Sequence, residues 1–210
     1  MENELIQNYH ADALQSFRNY KLMAEKAMAQ VSDEEFFKSI DAEANSIAVI
    51  VKHIAGNQFS RWIDFLTSDG EKPDRQRDSE FEMIGDTRES LMQLWERGWQ
   101  ALFEAVNPIT PDDFSKTVPI RGEPHSVAEA LNRQLTHYAY HIGQIVLLAK
   151  HFRSSEWKTL SVPRNRSAEF NQFLADKQKE GVEKMNRMDA PQEFADSEPE
   201  SGLNMYENRP

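Results

Sequence analysis

The sequence predicts an all-α protein, because apolar residues recur with helical spacing along most of the chain and strand-like alternation is almost absent. Two Ser-x-x-Glu capping boxes, which begin at Ser32 and Ser126, mark the starts of helices. Proline and glycine cluster between the periodic stretches and separate them. Four long helices result, and amphipathic helices of this kind bury their apolar faces in a bundle.

The first half of the chain contains two of the long helices. Apolar residues at helical spacing define the first helix within residues 5–31. Ser32 caps a short helix at residues 33–40, and the second long helix covers residues 45–66. The polar connection at residues 67–85 is long enough to return along a helix of about 30 Å. The second and third helices can therefore run parallel, which gives an up-down-down-up four-helix bundle.

The second half contains the other two long helices, with a loop between them. The third helix covers residues 86–106, and Asn107-Pro108 stops it. Prolines and Gly122 mark the following segment as a loop, with a short extended piece at residues 117–120. The fourth helix covers residues 127–152. The bundle core is expected to contain Trp62, Leu94, Trp95, Leu135 and Ile145.

The composition changes after the fourth helix. Residues 168–185 have the pattern of a short amphipathic helix, whereas acidic residues stand among Pro, Ser, Gly and Asn from residue 189 onward. A segment of that composition has too few apolar groups to compensate the entropy lost on folding. We therefore predict a bundle domain at residues 1–185, which includes the short extra helix, and an acidic disordered tail at residues 186–210.

Composition limits the classes of function. The net charge of -11 argues against nucleic acid or an anionic membrane as the main partner. The chain has no cysteine, so His, Asp and Glu are the available strong metal ligands. Residues 1–10 lack the apolar run of a signal peptide, and the longest apolar runs are far shorter than a membrane span. The expected location is the cytoplasm.

A pair of histidines in the fourth helix is the first sign of a metal site. His137 and His141 stand four residues apart, so both imidazoles lie on one helical face. With Gln134 and Gln144 they fill a helix seam with polar groups, which costs stability unless those groups coordinate or hydrogen-bond a partner. Gln144 suits an orienting role, since neutral amides bind metals weakly. The plain alternative is a chance pair of core histidines with satisfied hydrogen bonds.

The second long helix supplies a third histidine. His53, Asn57 and Arg61 follow at steps of four and stack along one helical face. Across an antiparallel bundle, mid-helix His53 can face His137 and His141. Three imidazoles leave at least one coordination position open, as in a catalytic metal site. The alternative is a boundary face on which Asn57 and Arg61 are solvated.

Two segments that carry these histidines resemble the two metal motifs of the DinB-like (YfiT-like) metalloenzyme superfamily. They are IVKHIAGN at residues 50–57 and HYAYHIGQ at residues 137–144. The segments SRWIDFLTSDGEKP, LSVPR and SAEFN resemble one bacterial branch known only as a domain of unknown function. The resemblance covers about residues 5–174. It implies an up-down-down-up four-helix bundle, a divalent metal on His53, His137 and His141, and frequently a homodimer.

The resemblance also implies a chemistry, because characterised relatives transfer or use low-molecular-weight thiols such as bacillithiol, mycothiol or glutathione. In a metal-dependent thiol S-transferase the ion, zinc or nickel, would bind the thiol and lower its pKa. Arg61, and in second place Arg164 and Arg166, are candidates to hold carboxylates of such a thiol. The alternatives are a metal-water hydrolase and a non-catalytic stress-response or binding module with a relic site.

Overall fold

Most of the protein is helical in the computed structural model, which describes residues 2–182, 185–186 and 188–196. These residues form seven α-helices and one two-stranded antiparallel sheet, and the predicted mostly helical fold is confirmed. The helices are α1 (Glu2–Met28), α2 (Asp33–Phe37), α3 (Ile47–Trp62), α4 (Arg88–Val106), α5 (Val127–Arg153), α6 (Ser167–Lys179) and α7 (Asp189–Asp196). The strands are β1 (Thr117–Ile120) and β2 (Glu123–Ser126).

The chain divides into two compact units after Phe152. The helical unit, Met1–Phe152, contains the first four helices, the sheet and nearly all of α5, while the C-terminal unit, Arg153–Pro210, contains α6 and α7. This division lies earlier than the boundary at residue 185 that composition predicts, and the later boundary stays a prediction. Within the described residues, every helix is too short or too polar to cross a membrane.

Helix α3 is the central helix of the helical unit. Its side chains are buried on nearly every face, and it packs most extensively against α4. Ser46 caps its first turn by accepting a hydrogen bond from the backbone N–H of Val49 at 3.3 Å. A helix that is buried all round places any polar residue on it in the protein interior. The polar residues His53, Asn57 and Arg61 are therefore all buried.

The core of the helical unit is rich in aromatic side chains, and the predicted core is partly correct. Trp62, Trp95 and Ile145 are buried as predicted, but Leu94 and Leu135 are only half-buried. Leu94 lines an open cavity of about 350 Å³ beside α3. Leu135 lies beside the buried stripe of α5 and not within it. That stripe contains Leu131, Gln134, Tyr138, Ile142 and Ile145.

The two strands form a hairpin, of which the sequence predicts only β1. Arg121 and Gly122 connect them with φ of 56° and 76°, the left-handed conformation of both central residues in a two-residue hairpin turn. Pro119 and Pro124 face each other across the hairpin. Pro124 removes a backbone donor and interrupts the strand pattern of β2, so the prediction that these residues belong to the loop is wrong. Asp69 accepts hydrogen bonds from both turn N–H groups at 2.8 Å.

The C-terminal unit corrects the prediction of a disordered tail over part of its length. Residues 189–196 form α7, although their composition is acidic. The reason is Phe194, which is buried and lies with its ring centroid 5.4 Å from that of Phe170 and 5.5 Å from that of Phe173. Helix α6 ends at Lys179, earlier than predicted. The predicted tail at residues 197–210 lies outside the described residues.

Candidate metal centre

Three histidine side chains from two helices meet at one point in the helical unit. His53 comes from α3, and His137 and His141 come from successive turns of α5. Nε2 of His137 lies 3.3 Å from Nε2 of His53 and 3.1 Å from Nε2 of His141. One potential ligand atom from each residue lies within 4.8 Å of the others, so this three-histidine cluster could hold a metal ion. The structure thus brings together the three residues that the sequence singles out.

The spacing of these nitrogens fits a single divalent ion. Imidazole nitrogens bind zinc at about 2.0–2.1 Å, so neighbouring ligands of one ion lie about 2.8–3.4 Å apart in octahedral or tetrahedral geometry. Both measured Nε2 separations fall within this range. The other histidines lie elsewhere: Nε2 of His10 bonds the carbonyl oxygen of Val106, His125 belongs to β2, and His151 is exposed near the end of α5.

A buried carboxylate, Glu80, orients His53. Nδ1 of His53 donates a hydrogen bond to Oε2 of Glu80 at 2.8 Å, which leaves the Nε2 lone pair to face the other two histidines. Arg75 holds the same carboxylate with two hydrogen bonds, at 2.8 Å to Oε1 and 3.0 Å to Oε2. Burial raises the pKa of Glu80, but the hydrogen bonds from His53 and Arg75 outweigh it and hold that pKa below its usual value. Glu80 is therefore ionised.

Glu80 is a site residue that the sequence pattern does not predict, and Gly56 is the signal that points to it. Glu80 belongs to the 3-10 turn Asp78–Phe81, inside a connection that has no helical period. It reaches α3 because Gly56 has no side chain, since a Cβ there would lie 2.4 Å from Oε1 of Glu80. A glycine inside a helical pattern lets another segment approach the backbone closely, and at Gly56 it does so.

Gln144 contacts His141 in the same way as Glu80 contacts His53. Nδ1 of His141 donates to Oε1 of Gln144 at 2.8 Å, so the Nε2 lone pair of His141 also faces the cluster. Burial lowers the pKa of His137 to about 3, with smaller contributions from His141 and His53. Burial also lowers the pKa of His141, against the hydrogen bond to Gln144. His137 is therefore neutral at pH 7, the form in which imidazole binds metals.

Asn57 and Arg61 lie beside the cluster in a buried setting, so the alternative of a solvated face is wrong. Asn57 accepts a hydrogen bond from the hydroxyl of Tyr138 at 3.1 Å. Arg61 donates to the carbonyl oxygen of Gly70 and, at 3.1 Å, to Glu71. Both side chains line a cavity of about 240 Å³ whose wall also includes two of the cluster histidines.

The two other arginines that the sequence offers as carboxylate holders, Arg164 and Arg166, belong to the C-terminal unit. Arg166 pairs there with Glu169 through hydrogen bonds at 2.8 and 2.6 Å. Its guanidinium also lies 4.6 Å from the ring centroid of Phe194. These contacts give Arg166 a role in holding the C-terminal unit together.

The fold and the cluster define a mostly helical protein with a candidate metal centre. The chain belongs to the family described as a protein of unknown function (DUF1572), whose model matches residues 4–166. The matched region includes the hairpin, α2 to α5 and all three cluster histidines. No curated protein and no solved structure matches the chain. The function therefore has to be argued from the site.

Proposed function

We propose that the protein is a metal-dependent enzyme that binds one divalent ion, zinc or nickel, through His53, His137 and His141. A low-molecular-weight thiol is its cosubstrate, and the reaction is an S-transfer. The observation that carries the proposal is the convergence of three Nε2 atoms. The up-down-down-up bundle of the DinB-like superfamily and a homodimer belong to the same proposal, as the resemblance implies. A cytoplasmic location is proposed from the sequence features of the chain.

The hydrogen bonds around the cluster favour a cation at its centre. Nδ1–H of His53 and of His141 donate hydrogen bonds to Glu80 and Gln144, so the Nε2 lone pairs of both histidines point at Nε2 of His137. One proton on Nε2 of His137 can satisfy only one of these two acceptors. The other would remain unpaired in a mostly buried site, which costs free energy. A divalent ion accepts all three lone pairs.

The thiol is supported by the resemblance to a superfamily whose characterised members use low-molecular-weight thiols. Three protein ligands leave an open coordination position, and a divalent ion there lowers the pKa of a bound thiol. In such a reaction the sulfur would belong to the cosubstrate, since the chain has no cysteine. Glu80 orients His53, and Gln144 orients His141. Arg61 lines the neighbouring cavity, where its guanidinium can bind an anionic group of the cosubstrate.

The surroundings of Glu80 favour a thiol transferase over a metal-water hydrolase. A hydrolase needs a general base beside the open position. Glu80 is the carboxylate that contacts the cluster, but His53 and Arg75 together donate three hydrogen bonds to it. Its lowered pKa makes it a weak proton acceptor. The carboxylate thus serves better as an orienting group than as a base.

Turnover of a thiol with a model electrophile tests the proposal. The purified protein is incubated with monochlorobimane and bacillithiol, mycothiol or glutathione, and conjugate formation is followed by fluorescence. We expect thiol-dependent turnover in the wild type and in His125→Ala, whose side chain belongs to β2 and contacts the carbonyl oxygen of Glu123, but only background in His53→Ala. Chelation should abolish the same activity.

Two results would contradict the proposed reaction. Hydrolysis of ester substrates without any thiol, lost in His53→Ala, would assign the site to a hydrolase. If the purified protein contains no metal and shows no turnover, the protein is a non-catalytic module.

A further inference from the structure

The cavity beside the three-histidine cluster is lined by arginines. Its volume is about 240 Å³, and His53 and His137 form part of its wall. Five guanidinium groups contribute to the same wall, those of Arg61, Arg75, Arg77, Arg121 and Arg133. The chain as a whole has 35 acidic and 24 basic residues, so this local concentration of positive charge opposes the overall charge.

The carboxylates around the cavity do not balance its arginines. Glu80 pairs with Arg75. Glu71 is shared, with its Oε2 at 3.1 Å from Arg61, 3.2 Å from Arg75 and 3.4 Å from Arg121. Asp69, at the hairpin turn, adds a third carboxylate. Five guanidinium groups against three carboxylates leave an excess of two positive charges. Like charges around one small cavity repel each other, and a bound anion would relieve that repulsion.

Within the part of the chain that the structure describes, several donors on these arginines have no protein partner. Arg61 is only 6% exposed, yet its Nε is buried without a hydrogen-bond partner among the described residues. Arg77 and Arg133 form no ion pair within the described part of the chain, and Arg77 lies 5.1 Å from the ring centroid of Phe81. Guanidinium groups bind carboxylates and phosphates with two parallel hydrogen bonds.

We propose that this cavity binds a small molecule that carries two or more negative charges on carboxylate or phosphate oxygens. The inference rests on the proposed function for the reacting end of that molecule, which reaches the open position at the three-histidine cluster. The cavity is smaller than the roughly 300–1,000 Å³ of a whole small-molecule site, so it holds the anionic part of the cosubstrate. A neutral thiol is then a poor cosubstrate.

Calorimetric titration of the full-length, metal-loaded protein tests the anion site. The probes are inorganic phosphate and succinate, with succinamide as the neutral counterpart of succinate. Arg77→Gln and Arg133→Gln each remove one charge from an exposed side chain that has no ion pair among the described residues, so we expect both variants to fold. Arg97→Gln is the matched control, because Arg97 also lies over an aromatic ring, that of Phe59 at 5.5 Å, but does not line the cavity.

We expect at least one of the two anions, phosphate or succinate, to bind the wild type. Its affinity for Arg97→Gln should equal that for the wild type, and its affinity for Arg77→Gln and for Arg133→Gln should be about tenfold lower. Succinamide should not bind, and the tighter of the two anions identifies the chemical group. Absence of binding by both anions, or equal affinity in all four proteins, would overturn the inference. Anion binding that persists in a protein without thiol turnover would refute the proposed reaction but leave the anion site in place.

Discussion

Replacing Gly56 by alanine tests how the metal centre is built into α3. Two effects oppose each other in this variant. Alanine in a helix interior is more favourable than glycine by about 0.5–1 kcal/mol. The new Cβ, however, would lie 2.4 Å from Oε1 and 2.7 Å from Cδ of Glu80, closer than atoms can approach. Because α3 is packed on nearly every face, the carboxylate of Glu80 has to move away.

The expected magnitude follows from the contact that is lost. A displaced Glu80 can no longer accept the 2.8 Å hydrogen bond from His53. Loss of such a partner costs about 10–100-fold in metal affinity, or about 1.4–2.7 kcal/mol. We therefore expect the metal Kd of Gly56→Ala to rise by about 10–100-fold. The melting temperature of the metal-free protein reports the helix gain together with the cost of disturbing the buried pair of Glu80 and Arg75.

The matched control is Gly143→Ala on α5. A Cβ at Gly143 meets nothing within 4 Å, so this variant has the helix gain alone, although it lies only two residues from His141. Metal affinity is measured by competition with a chromophoric chelator, and stability by thermal unfolding without metal. Wild-type affinity in Gly56→Ala would refute the role of Glu80 in orienting His53.

Three further predictions concern stability. The metal-free protein should lose stability as the pH falls from 6.5 towards 3. The pKa of His137 is about 3 in the folded state and 6.5 when unperturbed, so the unfolded state binds the proton first and is stabilised by it. Thermal unfolding across this range measures the loss, and an equally steep loss in His137→Ala would contradict the assignment. Ending the chain after Met188 deletes Phe194 and its ring contacts with Phe170 and Phe173. Backbone hydrogen exchange should then become faster in the C-terminal unit, while the metal content of the protein stays constant. A fall in metal content would show that the cluster depends on α7. Chelation should leave the circular dichroism helical, because the aromatic core does not include the metal; a collapse of the helical signal would show that metal holds the fold.

The parts of the fold that were predictable depend on local sequence. The capping box of Ser126 and Glu129 and the helical period of α5 are local, so the start of that helix and the common face of His137 and His141 could be predicted. Helix α7 could not, because its formation depends on the burial of Phe194 among distant aromatic residues. Composition alone contains no information on that packing.

The candidate site likewise contains residues that local sequence predicts and residues that it does not. His53 could be placed because it stands in a strongly periodic helix, whereas Glu80 is 27 residues further along the chain in a connection without a period. Its contact with His53 depends on the path of residues 67–85 over α3, which only tertiary structure defines. The arginine-lined cavity could not be predicted either, because its side chains come from four separate segments. These are α3, the connection at residues 67–85, the hairpin turn and α5.

Metal analysis of the purified, untagged protein tests the central claim most directly. Elemental analysis should find close to one divalent ion, zinc or nickel, per wild-type chain. Alanine at any cluster histidine, as in His53→Ala, should sharply reduce the bound metal, because each histidine supplies one of three ligands. The remaining histidines give the controls His10→Ala, His125→Ala and His151→Ala, which should keep the wild-type content. Full metal occupancy in His53→Ala, or a wild-type protein that binds no divalent metal, would contradict this account.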